Sequence, residues 1–192
     1  MKTFVLAATL LLVGSTAYAD SLTFNGPTAN GVNGPYSMSL NGGPATPMIC
    51  FSDVNYIQGG ESWNVQAYNI NQVGAVVGQF AGSTAQYNEL GYLANELFAN
   101  PGNANLQQAI WFVLGTGGAS NSYYTAAVNY VNNNPNYMTS DVFYIPTGPN
   151  LPTVNGTTPQ PFILQVPEPS SLVLLGAGLF GLIGLQLKKA SA

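Results

Sequence analysis

Between residues 20 and 166 the chain offers one thiol, Cys50, and six carboxylates as its main groups for side-chain chemistry. The sequence has no histidine, and its three basic residues, Lys2, Lys188 and Lys189, all lie near the ends. That removes Ser-His and Cys-His pairs, histidine metal sites and Schiff-base chemistry from the central region. A lone cysteine cannot form an internal disulfide, so Cys50 is buried and inert, paired between chains, or chemically used. Its setting, Met48-Ile49-Cys50-Phe51, suits a buried strand, and free cysteine commonly packs as a small hydrophobe. Glu89 and Glu96, seven apart on one helical face, lack the substrate-binding company of a glycosidase pair. Asp53 could tune the thiol or bind calcium, but no calcium-loop spacing surrounds it. Both constellations read as solvated acids. With no base stronger than a carboxylate, the region is not expected to be an enzyme, and no cofactor or metal is expected.

The central region carries Asp20, Asp53, Glu61, Glu89, Glu96 and Asp141 against no cation, a formal charge of −6. Without Lys or Arg it has nothing to neutralise phosphates, which excludes nucleic acid as a partner. Its polar surface must be built from Asn, Gln, Ser, Thr, Tyr and Gly. Such a neutral, amide- and hydroxyl-rich surface suits a hydrated polysaccharide or protein matrix.

These residues must be positioned by a mixed set of elements. Residues 21–24 and 36–40 alternate apolar and polar, and they are separated by Asn25-Gly26-Pro27, Asn30-Gly31 and Asn33-Gly34-Pro35. Further strands are predicted at 48–51, 54–57 and 63–70, with Trp63, Val65, Ala67 and Asn69 on one face. After residue 80 the period becomes helical. Ser83 or Thr84 caps a helix carrying Tyr87, Leu90, Ala94, Leu97 and Phe98. A second helix starts near Asn103 or Asn105 and ends at Gly115. A third, over 123–132, is capped by Ser122. Strands return at 142–145 and 162–166, with a Pro-rich spacer over 146–161. The predicted fold is α+β: a small antiparallel β sandwich or barrel with a three-helix insert.

Both ends of the chain speak of export. Lys2, an apolar run over 4–13 and Ala17-Tyr18-Ala19 form a signal peptide over 1–19, with Ala17 and Ala19 at the cleavage site. Residues 172–187 carry no charge, and as a helix they would span about 24 Å before Lys188 and Lys189 stop transfer on the cytoplasmic side. Pro167-Glu168-Pro169, this short Leu/Gly-rich segment and the terminal lysines resemble the PEP-CTERM sorting signal of Gram-negative bacteria. That resemblance implies a secretory translocon and an exosortase-type membrane protease as partners. It also implies a precursor held in the inner membrane by the C-terminal helix, then delivery to the cell surface or extracellular matrix. The domains expected are a signal peptide (1–19), an ectodomain (20–145), a spacer with a possible last strand (146–166) and the sorting tail (167–192).

A second resemblance concerns the ectodomain. A cysteine ending an early strand, with Gln107-Gln108-Ala109-Ile110-Trp111 on a later helix, resembles the thioester domains of bacterial surface adhesins. Leu106 stands where that motif usually has Thr, and Gln108 is a competing partner if the register shifts. The resemblance implies a bond between Cys50 Sγ and the side-chain carbonyl of Gln107, formed with loss of ammonia. Amines on a target surface would later attack that carbonyl. Trp111, one turn beyond Gln107, would share its face and help exclude water. The function expected is surface or biofilm-matrix adhesion, covalent through Cys50 and Gln107. The alternative is a noncovalent structural or carbohydrate-associated matrix protein in which Cys50 is merely buried.

Overall fold

The computed structural model describes residues 19–27, 33–149, 151–153 and 157–166. Six antiparallel strands, β1 (Asp20–Pro27), β2 (Tyr36–Leu40), β3 (Ala45–Cys50), β4 (Ser62–Tyr68), β5 (Val142–Pro146) and β6 (Phe162–Leu164), close a barrel in the order β1-β2-β3-β6-β5-β4. Three helices, α1 (Thr84–Ala99), α2 (Ala104–Val113) and α3 (Ser122–Asn133), are inserted between β4 and β5. The expected α+β class and helical insert are thus present, and the sheet is a barrel. Closure leaves no free sheet edge, which suits a chain with no edge lysines to guard one.

Alternation builds the interior. Leu22 and Phe24 of β1, Met38 of β2, and Trp63 and Val65 of β4 point inward, while the residues between them are half-buried or exposed. Met48 and Cys50 join this barrel cluster with Tyr36, Tyr144 and Phe162. Ile49 and Phe51, one residue out of phase, face the other way into a second core with Leu90, Leu97, Ile110 and Phe143. The end of β3 is therefore buried on both faces, because the helices cover the side that a simple barrel would leave wet.

Local signals set the helix starts. Ser83 caps α1 in a reciprocal capping box with Gln86. Asn103 caps α2 through the N–H groups of Asn105 and Leu106. Asn121, rather than the expected Ser122, caps α3: its side chain accepts from the N–H groups of Tyr123 and Tyr124, and Ser122 becomes the first helical residue. Two single 3-10 turns, Val73–Ala75 and Gly78–Phe80, lead into α1.

Three other expectations need correction. Asn25-Gly26-Pro27 does not end β1, because a bulge between Phe24 and Gly26, with Gly26 at φ 123°, lets the strand bend and continue. Residues 54–57 are not a strand. Here buried Asn55 bonds Thr158, and Gln160 Nε2 donates to the Asn55 and Ser52 carbonyls. The N–H groups of Asp53 and Val54 both go to Thr116 O, so no neighbouring strand could be served. The last strand is shorter than expected, yet it closes the barrel: Cys50 pairs with Phe162 and Phe143 with Ile163. Residues 1–18 and 167–192, which hold the expected signal peptide, Ala17, the sorting motif, the membrane helix and both terminal lysines, lie outside the described residues. Ala19 is described and exposed, just before β1. Among the described residues no helix is long and apolar enough to cross a membrane.

Candidate functional site

The site lies where the end of β3 meets α2. The Asn103 cap fixes the first turn of α2, and Gln107 N–H bonds back to Asn103 O at 3.1 Å. Gln107 then faces the barrel from the second turn, fully buried. Its Nε2 donates to the Cys50 carbonyl at 2.9 Å. Its Oε1 is buried with no hydrogen-bond partner. Trp111, one turn on, leaves the helical core and enters the barrel cluster, where its Nε1–H donates to Cys50 Sγ at 3.3 Å. Gln108 is only half-buried, so the register of α2 presents Gln107 to the cysteine.

Three donors converge on the Cys50 sulfur: Trp111 Nε1–H, the Tyr36 hydroxyl and the Ser52 backbone N–H. Burial nevertheless dominates and pushes the thiol up to about 11; the three donors pull it down, and the charge of Asp53 raises it further. Where Cys50 is a free thiol, burial therefore favours its protonated form at neutral pH. Burial also holds the Tyr36 phenol well above its ordinary range.

Two devices lock α2 to β3. Thr116, just after the helix, is buried and its Oγ1 donates to Phe51 O (2.7 Å) and Trp111 O (3.1 Å). This stitches the residue after the cysteine to the helix that carries the glutamine. Gly34 is the second. A Cβ there would lie 2.7 Å from Gln107 Oε1, so the missing side chain makes room for the amide. Its φ of +47° also favours glycine.

Cys50, Gln107 and Trp111 are brought together; the two glutamates are not part of this group. Glu89, expected to be solvated, is buried on α1, and desolvation raises its carboxyl above the usual range. It is one of the residues that α1 buries, with Asn88 and Leu90 on either side of it. Glu96 is half-buried and Asp53 is exposed. Among the described residues no cluster of three or more His, Cys, Asp or Glu side chains could hold a metal ion. Tyr36, Ser52, Thr116 and Gly34 were not legible as site residues. Only the Gly34-Pro35 turn signal and the Gly-rich run after α2 hinted that backbone approaches closely there.

Residues 165–189 match the PEP-CTERM protein-sorting motif. The chain therefore carries a sorting signal that implies export, processing by an exosortase and delivery to the cell surface. No curated protein and no solved structure gives a significant match.

Proposed function

We propose that this exported protein attaches covalently to amine-bearing surface or matrix polymers through a thioester between Cys50 and Gln107. The observation that carries the reading is the buried pair itself. Gln107 Nε2 is held on the main-chain carbonyl of Cys50 at 2.9 Å, in the residue whose sulfur three donors already serve. No family match supports a thioester domain, so the support is geometric.

In forming the bond, Sγ attacks Gln107 Cδ, the C–N bond breaks, and the thiol proton leaves with the amide nitrogen as ammonia. The Cys50 carbonyl, now accepting from Nε2, sits where that nitrogen departs. Holding both groups in one rigid site supplies the effective concentration that an unactivated amide requires. The finished thioester is then protected from water, since both residues are fully buried. When an amine does attack, Trp111, Tyr36 and Ser52 N–H stabilise the departing thiolate. The protein is consumed once and does not turn over, which is adhesion rather than enzyme catalysis.

A second reading has its own support: Cys50 is fully buried among Met48, Phe162 and Trp63, as an inert core thiol in a noncovalent matrix protein would be. Alkylation separates the two. A thioester blocks Cys50 even after unfolding and yields to methylamine but not to reductant. An inert thiol alkylates as soon as the protein is denatured.

A further inference from the structure

Residues 52–57 belong to no helix or strand, yet a polar network holds them in place. Ser52 Oγ donates to Asn55 Oδ1, and Asn55 Nδ2 donates to the carbonyl and the hydroxyl of Thr158, both at 3.0 Å. Gln160 Nε2 donates to Ser52 O at 3.1 Å and to Asn55 O at 2.7 Å, which leaves Oε1 as the atom it can offer a ligand. The Asp53 N–H bonds Thr116 O at 2.8 Å, and a Cβ on Gly117 would come within 2.5 Å of the Asp53 Cβ. The strap after α2 therefore packs directly against this loop. The loop displays Asp53, which is exposed, and Tyr56, which is half exposed. A loop fixed in advance does not have to be ordered when a ligand binds.

Asp53 and Tyr56 line a cleft of about 370 Å³, at the small end of ligand-sized pockets. Its nearly buried lining residues, Phe24, Tyr36 and Trp111, are aromatic. Tyr36 and Trp111 give their hydroxyl and N–H to Cys50 Sγ, so what they offer the cleft is ring surface. The more accessible lining residues, Asn33, Asp53, Tyr56 and Gln160, are all polar. The cleft thus has an aromatic floor and a polar rim.

We propose that this cleft is a noncovalent binding site for a neutral sugar, a hexopyranose ring of a polysaccharide chain. Such a ring has C–H-rich faces and a hydroxyl edge, the same division that the cleft shows. A C–H face packs on the aromatic floor. The hydroxyls, which both donate and accept, meet the Asn33 amide, the Asp53 carboxylate and Gln160 Oε1. A carboxylate can accept from two adjacent hydroxyls, and hydrogen bonds to an ionised acceptor are the stronger kind. Anionic sugars are repelled by Asp53, and no Lys, Arg or His between residues 20 and 166 could receive them. Neither Cys50 nor Gln107 is among the lining residues, so the site does not depend on the thioester.

The test is calorimetric titration of the full chain, purified after export, with neutral oligosaccharides of glucose, galactose and mannose. Oligomers of alginate and chitosan serve as the anionic and cationic counterparts. At least one neutral oligosaccharide should bind with a dissociation constant of about 1 mM or tighter. Asp53→Asn and Tyr56→Ala should each weaken it about tenfold, with the thermal midpoint unchanged because both side chains are accessible. Added salt should change it by less than about twofold, since the ligand carries no charge. Absence of binding by every neutral oligosaccharide at about 10 mM overturns the proposal, as does binding that either variant leaves intact. Preference for a charged oligomer overturns it too; chitosan binding abolished by salt would mark a cation site instead. None of these results decides the thioester, which is read separately from ammonia loss in the intact mass.

Discussion

Opening the proposed thioester with methylamine should destabilise the protein by an amount that follows from its topology. Cys50 and Gln107 are 57 positions apart. A covalent link closing a loop of that length removes denatured-state entropy worth about 4 kcal/mol at room temperature by the chain-entropy relation used for disulfides. At a few degrees per kcal/mol for a domain of this size, the thermal midpoint should drop by about 10 °C when the link is cut. Opening also returns an N–H donor to the Cys50 carbonyl, which lost Nε2 when ammonia left; that bond, worth about 1 kcal/mol net, offsets only a small part of the loss. The assay is a thermal scan of the protein before and after methylamine, with the mass of each sample read before and after heating to confirm that the link was intact. Gln107→Ala, which cannot form the link, serves as the control and should show no shift with amine. If the mass shows a link that amine opens, yet the midpoint moves by less than about 2 °C, the cross-link entropy reasoning is refuted.

Other outcomes follow from the same geometry. Trp111→Phe keeps most of the ring in the barrel but deletes the donor to Sγ; losing a hydrogen bond to a developing thiolate, about 1.5–3 kcal/mol, should slow amine uptake about 10- to 100-fold in a mass-resolved time course. Thr116→Val leaves the buried Phe51 carbonyl without its hydroxyl donor; urea unfolding should show a loss of about 1–3 kcal/mol. Gly34→Ala would put a methyl 2.7 Å from Gln107 Oε1 at a backbone position that disfavours it, so the fraction of chains lacking ammonia should fall. Asp141 gives a pH signature. Burial raises its carboxyl from 3.8 to about 6 against a lowering by Thr139 and the Val166 N–H. The folded state therefore holds this proton more tightly than the unfolded chain. Its contribution is full below about pH 4 and is lost as pH rises through about 6, up to roughly 3 kcal/mol. Urea midpoints of Asp141→Asn compared with wild type across that window should show a flatter slope.

The periodic parts of this fold were readable because their signals are local. Tyr36–Leu40 alternates between turn residues, and Ser83 and Asn103 cap helices within a few residues of themselves. Gln107 and Trp111 share a face by helical spacing alone. What escaped was long-range or made of backbone. Residues 54–57 look like a strand, but Asn55 takes its partners from Thr158 and Gln160, about a hundred positions away. Glu89 looks solvated in the sequence, yet the packing of α1 buries it. The sulfur's surroundings were equally hidden: a phenol from β2, a main-chain N–H from Ser52 and an indole from α2 meet only when the barrel closes. A lone thiol in the sequence gives no hint of three donors around it.

The most direct test is the intact mass of the exported protein beside its Cys50→Ala and Gln107→Ala variants. We expect the wild type to be lighter than its sequence by one ammonia, with its thiol blocked until methylamine is added, and both variants to have full mass. A wild type of full mass whose Cys50 alkylates on unfolding would contradict the covalent reading and leave a surface-sorted barrel with a core cysteine.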